Sequence, residues 1–168
     1  GRVGLEKASG LLKNSPTTKL KVIAEKVDDD FIKLKSDFPQ IVIEKRFFNN
    51  DDLQEVNLLI VAINNKELSA EIKAKANQQN ILVNVADTPV LCDFYLSSVV
   101  QKGNLKIAIS TNGKSPTVAK RIRELLEDIL PDELDELLEN LHQIRNSIKG
   151  EVAQKVKQLN ELTPTLKK

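Results

Sequence analysis

The feature that most constrains the fold is a pair of apolar runs separated by a stretch with helical periodicity. Residues 57–63 read Asn-Leu-Leu-Ile-Val-Ala-Ile, and residues 81–85 form a second, shorter run. A continuous apolar run of this kind is typical of a strand buried on both faces of a parallel sheet. Between the two runs, Leu68, Ile72 and Ala76 recur at helical spacing. Strand and helix therefore alternate, which predicts an α/β fold with a parallel sheet.

The same alternation occupies the beginning of the chain. Apolar residues recur at helical spacing up to Leu12, and short apolar strands follow around residues 22–23 and 41–43. The pattern opens on a helix with no strand ahead of it, like the second half of a strand–turn–helix unit. We therefore expect the natural protein to begin somewhat before Gly1, so that this version is truncated.

The pattern changes after this α/β part. Residues 94–100 and 105–110 predict two strands joined by a short turn, and the sequence is helical from Pro116 onward. We expect three modules: a Rossmann-like parallel α/β domain at 1–86 with its first strand missing, a small strand-rich region at 87–112 and a helical domain at 113–168.

Composition narrows the classes of function. The chain has 25 basic and 24 acidic residues, and this net charge of +1 argues against nucleic acid as the main partner. No apolar run approaches the roughly 20 residues that span a bilayer, so we expect no membrane partner. The single cysteine, Cys92, excludes an internal disulfide framework and is compatible with a reducing cytosol, so we expect a cytoplasmic protein.

Few side chains are available to hold a metal ion. Cys92 has the character of a small buried hydrophobe. The one histidine, His142, lies among leucines on a helix, where a partly exposed structural role is favoured over a ligand role. The sequence therefore predicts no protein-held metal site.

An acidic residue directly follows the second apolar run. Asp87 comes after Val85 and Ala86, and Pro89 stiffens the chain behind it. It could be an Asx-turn aspartate that bonds its own backbone. Alternatively, it supplies an acid at a strand end, where α/β proteins usually keep their chemistry.

Two short segments are candidates for binding a dinucleotide. Gly1, Arg2 and Val3 lie at a helix start, where backbone amides could hold a pyrophosphate, although an ordinary helix start would look the same. Glu25 ends the next predicted strand, near the offset at which an acid meets the adenosine ribose, or it is a surface glutamate. Lys26 beside it leaves a phosphorylated ribose open.

A polar loop precedes the helical half of the chain. Ser115 followed by Pro116 matches a helix N-cap with proline at the first helical position, which is sufficient as a structural role. Basic side chains nevertheless gather at this helix start, an arrangement that suits an anionic ligand. They are Lys114, Lys120, Arg121 and Arg123.

Four segments together resemble the precorrin-2 dehydrogenase and sirohydrochlorin ferrochelatase family, whose enzymes complete siroheme. Residues 1–7 resemble the end of its Gly-Gly-Gly-x-Val-Ala-x-x-Lys fingerprint, and residues 58–65 resemble a strand that runs into an Ala-Thr-Asn/Asp-Asp turn. Residues 83–94 and 107–116 resemble its two most specific segments. The chain departs from the family at Ile63, where threonine is common, and at Asn112, which replaces a glycine of the loop.

The resemblance implies an NAD-dependent oxidation of precorrin-2 to sirohydrochlorin, which some members follow by inserting Fe²⁺ as a second substrate. It implies a homodimer with a Rossmann domain, a central dimerisation region and a C-terminal helical domain. Asp87 corresponds to the family's key aspartate, a proton acceptor. The implied NAD contacts are Arg2, Val3, Glu25, Lys26, Ile63 and Asn64. The loop and helix start assigned to the tetrapyrrole substrate comprise Thr111, Asn112, Lys114, Ser115 and Lys120.

A different class of function has the same α/β half. A non-catalytic dinucleotide-sensing module with a helical partner-docking domain would need neither Asp87 nor the basic cluster that follows Lys114. A purely structural helical scaffold would leave the apolar parallel strands without an explanation.

Overall fold

The computed structural model describes residues 1–148 and 152–162, which form two compact units. The first unit contains Gly1–Leu96 together with Asn112–Lys114, and the second contains Ser97–Thr111 and the chain from Ser115 onward. In the described part of the chain, no helix is long and apolar enough to cross a membrane. The assignment of three functional modules remains a prediction.

The first half of unit 1 is a strand–helix–strand arrangement covered by the opening helix. Helix α2 begins at the acidic run of residues 28–30, where the Asp28 side chain accepts a hydrogen bond from the Asp30 amide. Leu12 and Phe31 are buried in the core that the helices form with β1 and β2. The elements are α1 (Arg2–Asn14), β1 (Lys21–Ile23), α2 (Asp29–Asp37) and β2 (Val42–Glu44), and the two strands pair in parallel.

The second half of unit 1 repeats this arrangement. Strand β3 (Leu58–Val61) pairs in parallel with β4 (Leu82–Val85), and α3 (Lys66–Gln78) connects them. A second core cluster contains Val61 and Val83 from the strands and Ile72 and Ala76 from the helix. Helix and strand alternate as predicted, and the Rossmann-like α/β class is confirmed.

The expectation that the apolar run at residues 57–63 is buried on both faces is wrong. Alternate residues of a strand face opposite sides of the sheet. Leu59 and Val61 face the core cluster, whereas Leu58 is 56% exposed on the other side, as is its neighbour Leu82 at 51%. Each parallel pair forms a sheet of only two strands among the described residues, so its second face is only partly covered.

Unit 2 combines a hairpin with helices. Strands β5 (Ser98–Lys102) and β6 (Leu105–Ile109) form the predicted pair and run antiparallel, but the first strand begins at Ser98 and not at residue 94. Gly103 turns between them at φ +54°, and a β-carbon there would lie 2.1 Å from the Asp135 carboxyl carbon, so only glycine fits. The described helices are α4 (Pro116–Ile129), α5 (Leu134–Ser147) and α6 (Val152–Leu162).

Helix α4 begins as the Ser-Pro pair predicted. The Ser115 hydroxyl accepts a hydrogen bond from the Val118 amide, and Pro116 takes the first helical position. Ala119 is buried, but the helix also exposes an apolar stripe. Its members are 40–62% exposed and recur at helical spacing: Val118, Ile122, Leu125 and Ile129.

A cluster of charged groups ties the end of β2 to the following 3₁₀ turn, Asn50–Leu53. The nearly buried Asp52 carboxylate accepts two hydrogen bonds from Arg46, at 2.7 and 2.5 Å, and one from Lys21 at 3.3 Å. It also accepts a hydrogen bond from the Asn49 amide at 2.9 Å. The Arg46 guanidinium holds the pKa of Asp52 well below its ordinary value.

We predict that Asp52→Asn weakens the acid dependence of unfolding. A carboxyl whose pKa is lowered by folding stabilises the native state above its unfolded pKa of about 3.9, and that contribution is lost as pH falls toward the folded value. The wild-type urea midpoint should therefore fall more between about pH 6 and pH 3 than that of the variant. Parallel curves for the two proteins would contradict the role of Asp52.

Candidate functional site

A cavity of about 390 Å³ lies where β3 and β4 end and α1 begins. Because the strands are parallel neighbours, the residues that follow them meet at one edge of the sheet. The volume falls within the range of small-molecule sites, about 300–1,000 Å³. The cavity is lined by Gly1, Arg2, Val3, Ala62, Ile63, Asn64, Asn65, Lys66, Ser69, Ala86, Asp87 and Thr88.

Two contacts hold the beginning of α1 against the strand ends. A β-carbon at Gly4 would lie 3.7 Å from Ala62 Cβ, so the helix passes directly over the residue that follows β3. One turn later, Lys7 Nζ donates a hydrogen bond of 3.2 Å to Asn84 Oδ1 in β4, where Asn84 is only 4% exposed. These contacts fix the helix N-terminus as one wall of the cavity.

This wall favours negative charge. Gly1 provides no side-chain cap for α1, so the first amides of the helix lack the usual side-chain acceptor. The positive end of the helix dipole lies at the same point, and Arg2 lines the cavity beside it. Lys66 adds a second cationic side chain from the first turn of α3. The arrangement suits a phosphate-bearing ligand.

Asp87 also lines the cavity, in the turn that leaves β4. Its backbone has φ +57°, a left-handed conformation that aspartate tolerates better than most residues. A hydrogen bond of 3.3 Å from the Thr88 amide to the Val85 carbonyl closes the turn. The Asp87 side chain is exposed and has no hydrogen-bond or ion-pair partner among the described residues, so the Asx-turn alternative is not observed.

The cavity brings together five of the predicted site residues and leaves others outside. The lining includes Asp87 and four of the six residues assigned to NAD: Arg2, Val3, Ile63 and Asn64. Glu25 and Lys26 do not line it, and both are exposed beyond the end of β1. Their assignment to the cofactor remains a prediction.

The residues assigned to the substrate belong to the segment that leads into α4, and none of them lines this cavity. Thr111 Oγ1 accepts a hydrogen bond of 3.0 Å from the Ser115 amide. Lys120 Nζ lies 3.9 Å from Oε1 of Glu124. Asn112 has φ +51° and Gly113 has φ +75°. Both values are left-handed, a conformation that glycine adopts freely and that asparagine tolerates better than most residues.

Part of this loop packs within unit 1. A β-carbon at Gly113 would lie 3.2 Å from Cε1 of Tyr95, so the loop packs closely against that ring. Tyr95 in turn donates a hydrogen bond of 3.5 Å to the carbonyl of Pro89, two residues after Asp87. The substrate roles of Asn112 and Lys114 remain predictions.

Sequence reasoning missed several residues that the structure brings into the cavity. Lys66 and Ser69 enter because Asn65 caps α3, its side chain accepting a hydrogen bond of 3.0 Å from the Leu68 amide. The Asn64–Asn65 pair ahead of a helical pattern was a usable signal for this helix start. Ala62 and Thr88 follow from the same strand-end geometry.

Within residues 1–148 and 152–162, no group of three His, Cys, Asp or Glu side chains could hold a metal ion. His142 is exposed on α5, and its Nε2 lies 3.0 Å from the Asn146 side-chain nitrogen, in line with the expected structural role. Cys92 differs from the expected buried hydrophobe, because it is only half-buried and its thiol contacts backbone polar groups.

Comparison with known families matches two separate segments of the chain. Residues 1–98 match a family described as putative NAD(P)-binding. Residues 102–129 match a family described as the central part of the sirohaem biosynthesis protein. The first match covers all residues that line the cavity.

Curated relatives carry the name siroheme synthase. The protein from Ruthia magnifica subsp. Calyptogena magnifica is 38% identical over 127 residues, covering 76% of this chain and 27% of the relative. The protein from Pseudoalteromonas atlantica is 32% identical over 150 residues, covering 89% of this chain and 32% of the relative. The chain thus spans about a third or less of these relatives.

A solved structure has the same fold. SirC, described as a precorrin-2 dehydrogenase, superposes with a TM-score of 0.74 at 21% identity, covering 95% of this chain and 78% of SirC. The agreement extends across both the α/β and the helical parts of the chain.

Proposed function

The chain belongs to the siroheme synthase family, and from that premise we propose that it oxidises precorrin-2 to sirohydrochlorin with NAD, in the cytoplasm. The observation that carries the proposal is that Asp87, an acid without a partner among the described residues, shares one cavity with the uncapped start of α1. This shared cavity supports a role for Asp87 as proton acceptor next to a bound anionic cofactor.

The residues of the cavity fit a dinucleotide. Arg2 and the first amides of α1 would hold the pyrophosphate, since both supply hydrogen-bond donors and positive potential. Val3, Ile63 and Asn64 would contact the rest of the bound cofactor. The chemistry that NAD supplies when bound is the two-electron oxidation of the tetrapyrrole.

The protein's own chemical contribution is a base. We propose that the Asp87 carboxylate accepts the proton that the substrate loses when it is oxidised. A carboxylate with no hydrogen-bond or ion-pair partner among the described residues can accept a proton without breaking a native contact. For the anionic tetrapyrrole we propose the polar and basic groups of the segment that leads into α4. They are Thr111, Asn112, Lys114, Ser115 and Lys120.

Ferrous iron would be a second substrate at the same site. The described residues contain no cluster of metal ligands, so the macrocycle nitrogens would hold the iron during insertion. We propose that Asp87 accepts the protons that the macrocycle nitrogens release when iron is inserted. We propose dehydrogenation as the main activity and chelation as the weaker one.

The proposed function is tested by mixing the protein with precorrin-2 and NAD under anaerobic conditions and recording the absorbance spectrum. We expect the sirohydrochlorin spectrum to appear together with NADH, at a rate proportional to protein concentration. If NAD binds but no spectral change follows, the chain is instead a dinucleotide sensor.

We also propose that the protein is a homodimer in which a second copy covers part of unit 2. The hairpin of β5 and β6 has no further strand neighbour among the described residues, and such edges are usually protected. The exposed apolar stripe of α4 lies in the same unit. A two-fold dimer would bury both surfaces.

Light scattering tests this association, and we predict twice the mass of the chain at micromolar concentration. Changing both Leu125 and Ile129 to glutamate should give the monomer mass, because it places charge in the apolar stripe. Arg121→Ser, on the same helix, is the control and should remain a dimer. A monomeric wild-type protein would contradict the proposal.

A further inference from the structure

The segment after the Asp87 turn folds back along β4. The Asp93 amide donates a hydrogen bond of 2.8 Å to the Val83 carbonyl, and the Asp93 carboxylate accepts one of 2.8 Å from the Val83 amide. The Asn84 side chain donates a further hydrogen bond of 2.8 Å to the Phe94 carbonyl. Residues 93 and 94 are thereby fixed to the strand that ends just before Asp87.

An ion pair anchors this segment from α3. The ammonium group of Lys73 pairs with the same Asp93 oxygen that accepts the Val83 amide, and the Lys73 side chain is only 11% exposed. Lys73 also donates a hydrogen bond of 2.6 Å to the Asn77 side chain. The hydrogen bond from Lys73 holds the pKa of Asp93 below its ordinary value, so the carboxylate stays charged at neutral pH.

Cys92 bridges the two sides of the Asp87 turn. Its sulfur lies 3.3 Å from the Val85 amide and 3.2 Å from the Val85 carbonyl, on the strand side. The same sulfur lies 3.5 Å from the carbonyl of Thr88, on the far side of Asp87. One thiol therefore contacts the backbone both before and after the aspartate.

We propose that Cys92, Asp93 and Lys73 are positioning residues that hold the Asp87 carboxylate at the cavity. This inference rests on the proposed function, because that function makes the substrate the proton donor to Asp87. A left-handed backbone at a non-glycine residue persists only where its surroundings enforce it. The Cys92 bridge and the Asp93 anchor enforce it by fixing the chain at both ends of residues 86–91.

Amide exchange tests the positioning without any assay of activity. In Cys92→Ala the amides of Thr88 and Leu91, whose hydrogen bonds shape the turn, should exchange faster than in the wild type. Cys92→Ser retains a hydroxyl that can make the bridging contacts and should restore slow exchange. Val90→Ala is the matched control, since that side chain in the same loop is 90% exposed. Unchanged exchange in Cys92→Ala would overturn the proposal.

Turnover tests whether the positioning acts through Asp87. In Cys92→Ala and Lys73→Met, kcat should fall up to about 10²-fold, because a displaced Asp87 carboxylate accepts the proton more slowly. The Kd for NAD should stay unchanged. In an Asp87→Asn background the Cys92→Ala change should lower kcat no further. An equal fall in both backgrounds would overturn the proposal in favour of a purely structural role.

The two proposals fail in different ways. A wild-type protein that binds NAD but does not turn over contradicts the proposed function, whereas the exchange of Thr88 and Leu91 still decides whether Cys92 fixes the turn. Faster exchange in Cys92→Ala with undiminished kcat would show that the turn is clamped without consequence for the reaction, and would overturn the positioning role.

Discussion

Replacing Asp87 by asparagine should lower turnover by at least about 10²-fold, the usual contribution of a positioned base. Asparagine has nearly the same shape but cannot accept the substrate's proton at neutral pH. The free energy of unfolding should stay unchanged, because the carboxylate has no partner to lose among the described residues and asparagine tolerates the left-handed backbone. The measurement is kcat with saturating NAD, paired with a urea unfolding curve.

Two further variants complete the Asp87 experiment. Asp87→Gly should be at least as stable as the wild type, since glycine adopts φ +57° without strain, and it should be as inactive as Asp87→Asn. Asp37→Asn, an exposed carboxylate at the end of α2, is the control and should keep full activity. Turnover near the wild-type rate in Asp87→Asn would remove Asp87 from the mechanism.

Arg2→Gln should weaken NAD binding by about 10- to 100-fold, which corresponds to the loss of one hydrogen bond to a charged group. Arg2 lines the cavity at the positive end of the α1 dipole, where its guanidinium can bind two phosphate oxygens at once. Glutamine keeps much of the side-chain length and removes the charge. Isothermal titration with NAD gives the affinity of each variant.

Lys13→Gln is the matched control for Arg2→Gln. Lys13 is a basic residue in the last turn of the same helix, far along the chain from the cavity lining. The substitution changes the net charge equally, so a general electrostatic effect would appear in both variants. Equal affinities for Arg2→Gln and the wild type would place the pyrophosphate elsewhere.

The sequence was sufficient to predict the fold class because its signals are local. The capping run at Asp28, the Ser115–Pro116 pair and the hairpin glycine each specify a boundary through neighbouring atoms. Burial was less predictable, because it depends on how many elements cover each face of a strand. Leu58 has the same apolar character as Val61 but remains half exposed.

The site was predictable where strand ends determine it. Ile63, Asn64 and Asp87 follow parallel neighbours, and that topology alone brings them to one edge. Glu25 was assigned to the cofactor by its distance along the sequence from Gly1. That distance does not determine where an exposed side chain points. Lys66 lines the cavity because α3 begins there, directly after the Asn64–Asn65 pair.

The contacts behind Asp87 could not be predicted from the sequence. Lys73 and Asp93 are twenty residues apart, and nothing in the local pattern links a helical lysine to that carboxylate. From the sequence, Cys92 was expected to be a small buried hydrophobe. Its position after a tight turn instead brings the thiol to backbone groups on both sides of Asp87. Such pairings follow only from the folded chain.

The central claim is that NAD binds in the cavity beside Asp87, and amide chemical shifts of the labelled protein during an NAD titration test it most directly. The account predicts saturable shifts that are largest at Arg2, Val3, Ile63, Asn64 and Asp87. Shifts centred on the helices of unit 2, or no saturable change at millimolar NAD, would contradict it.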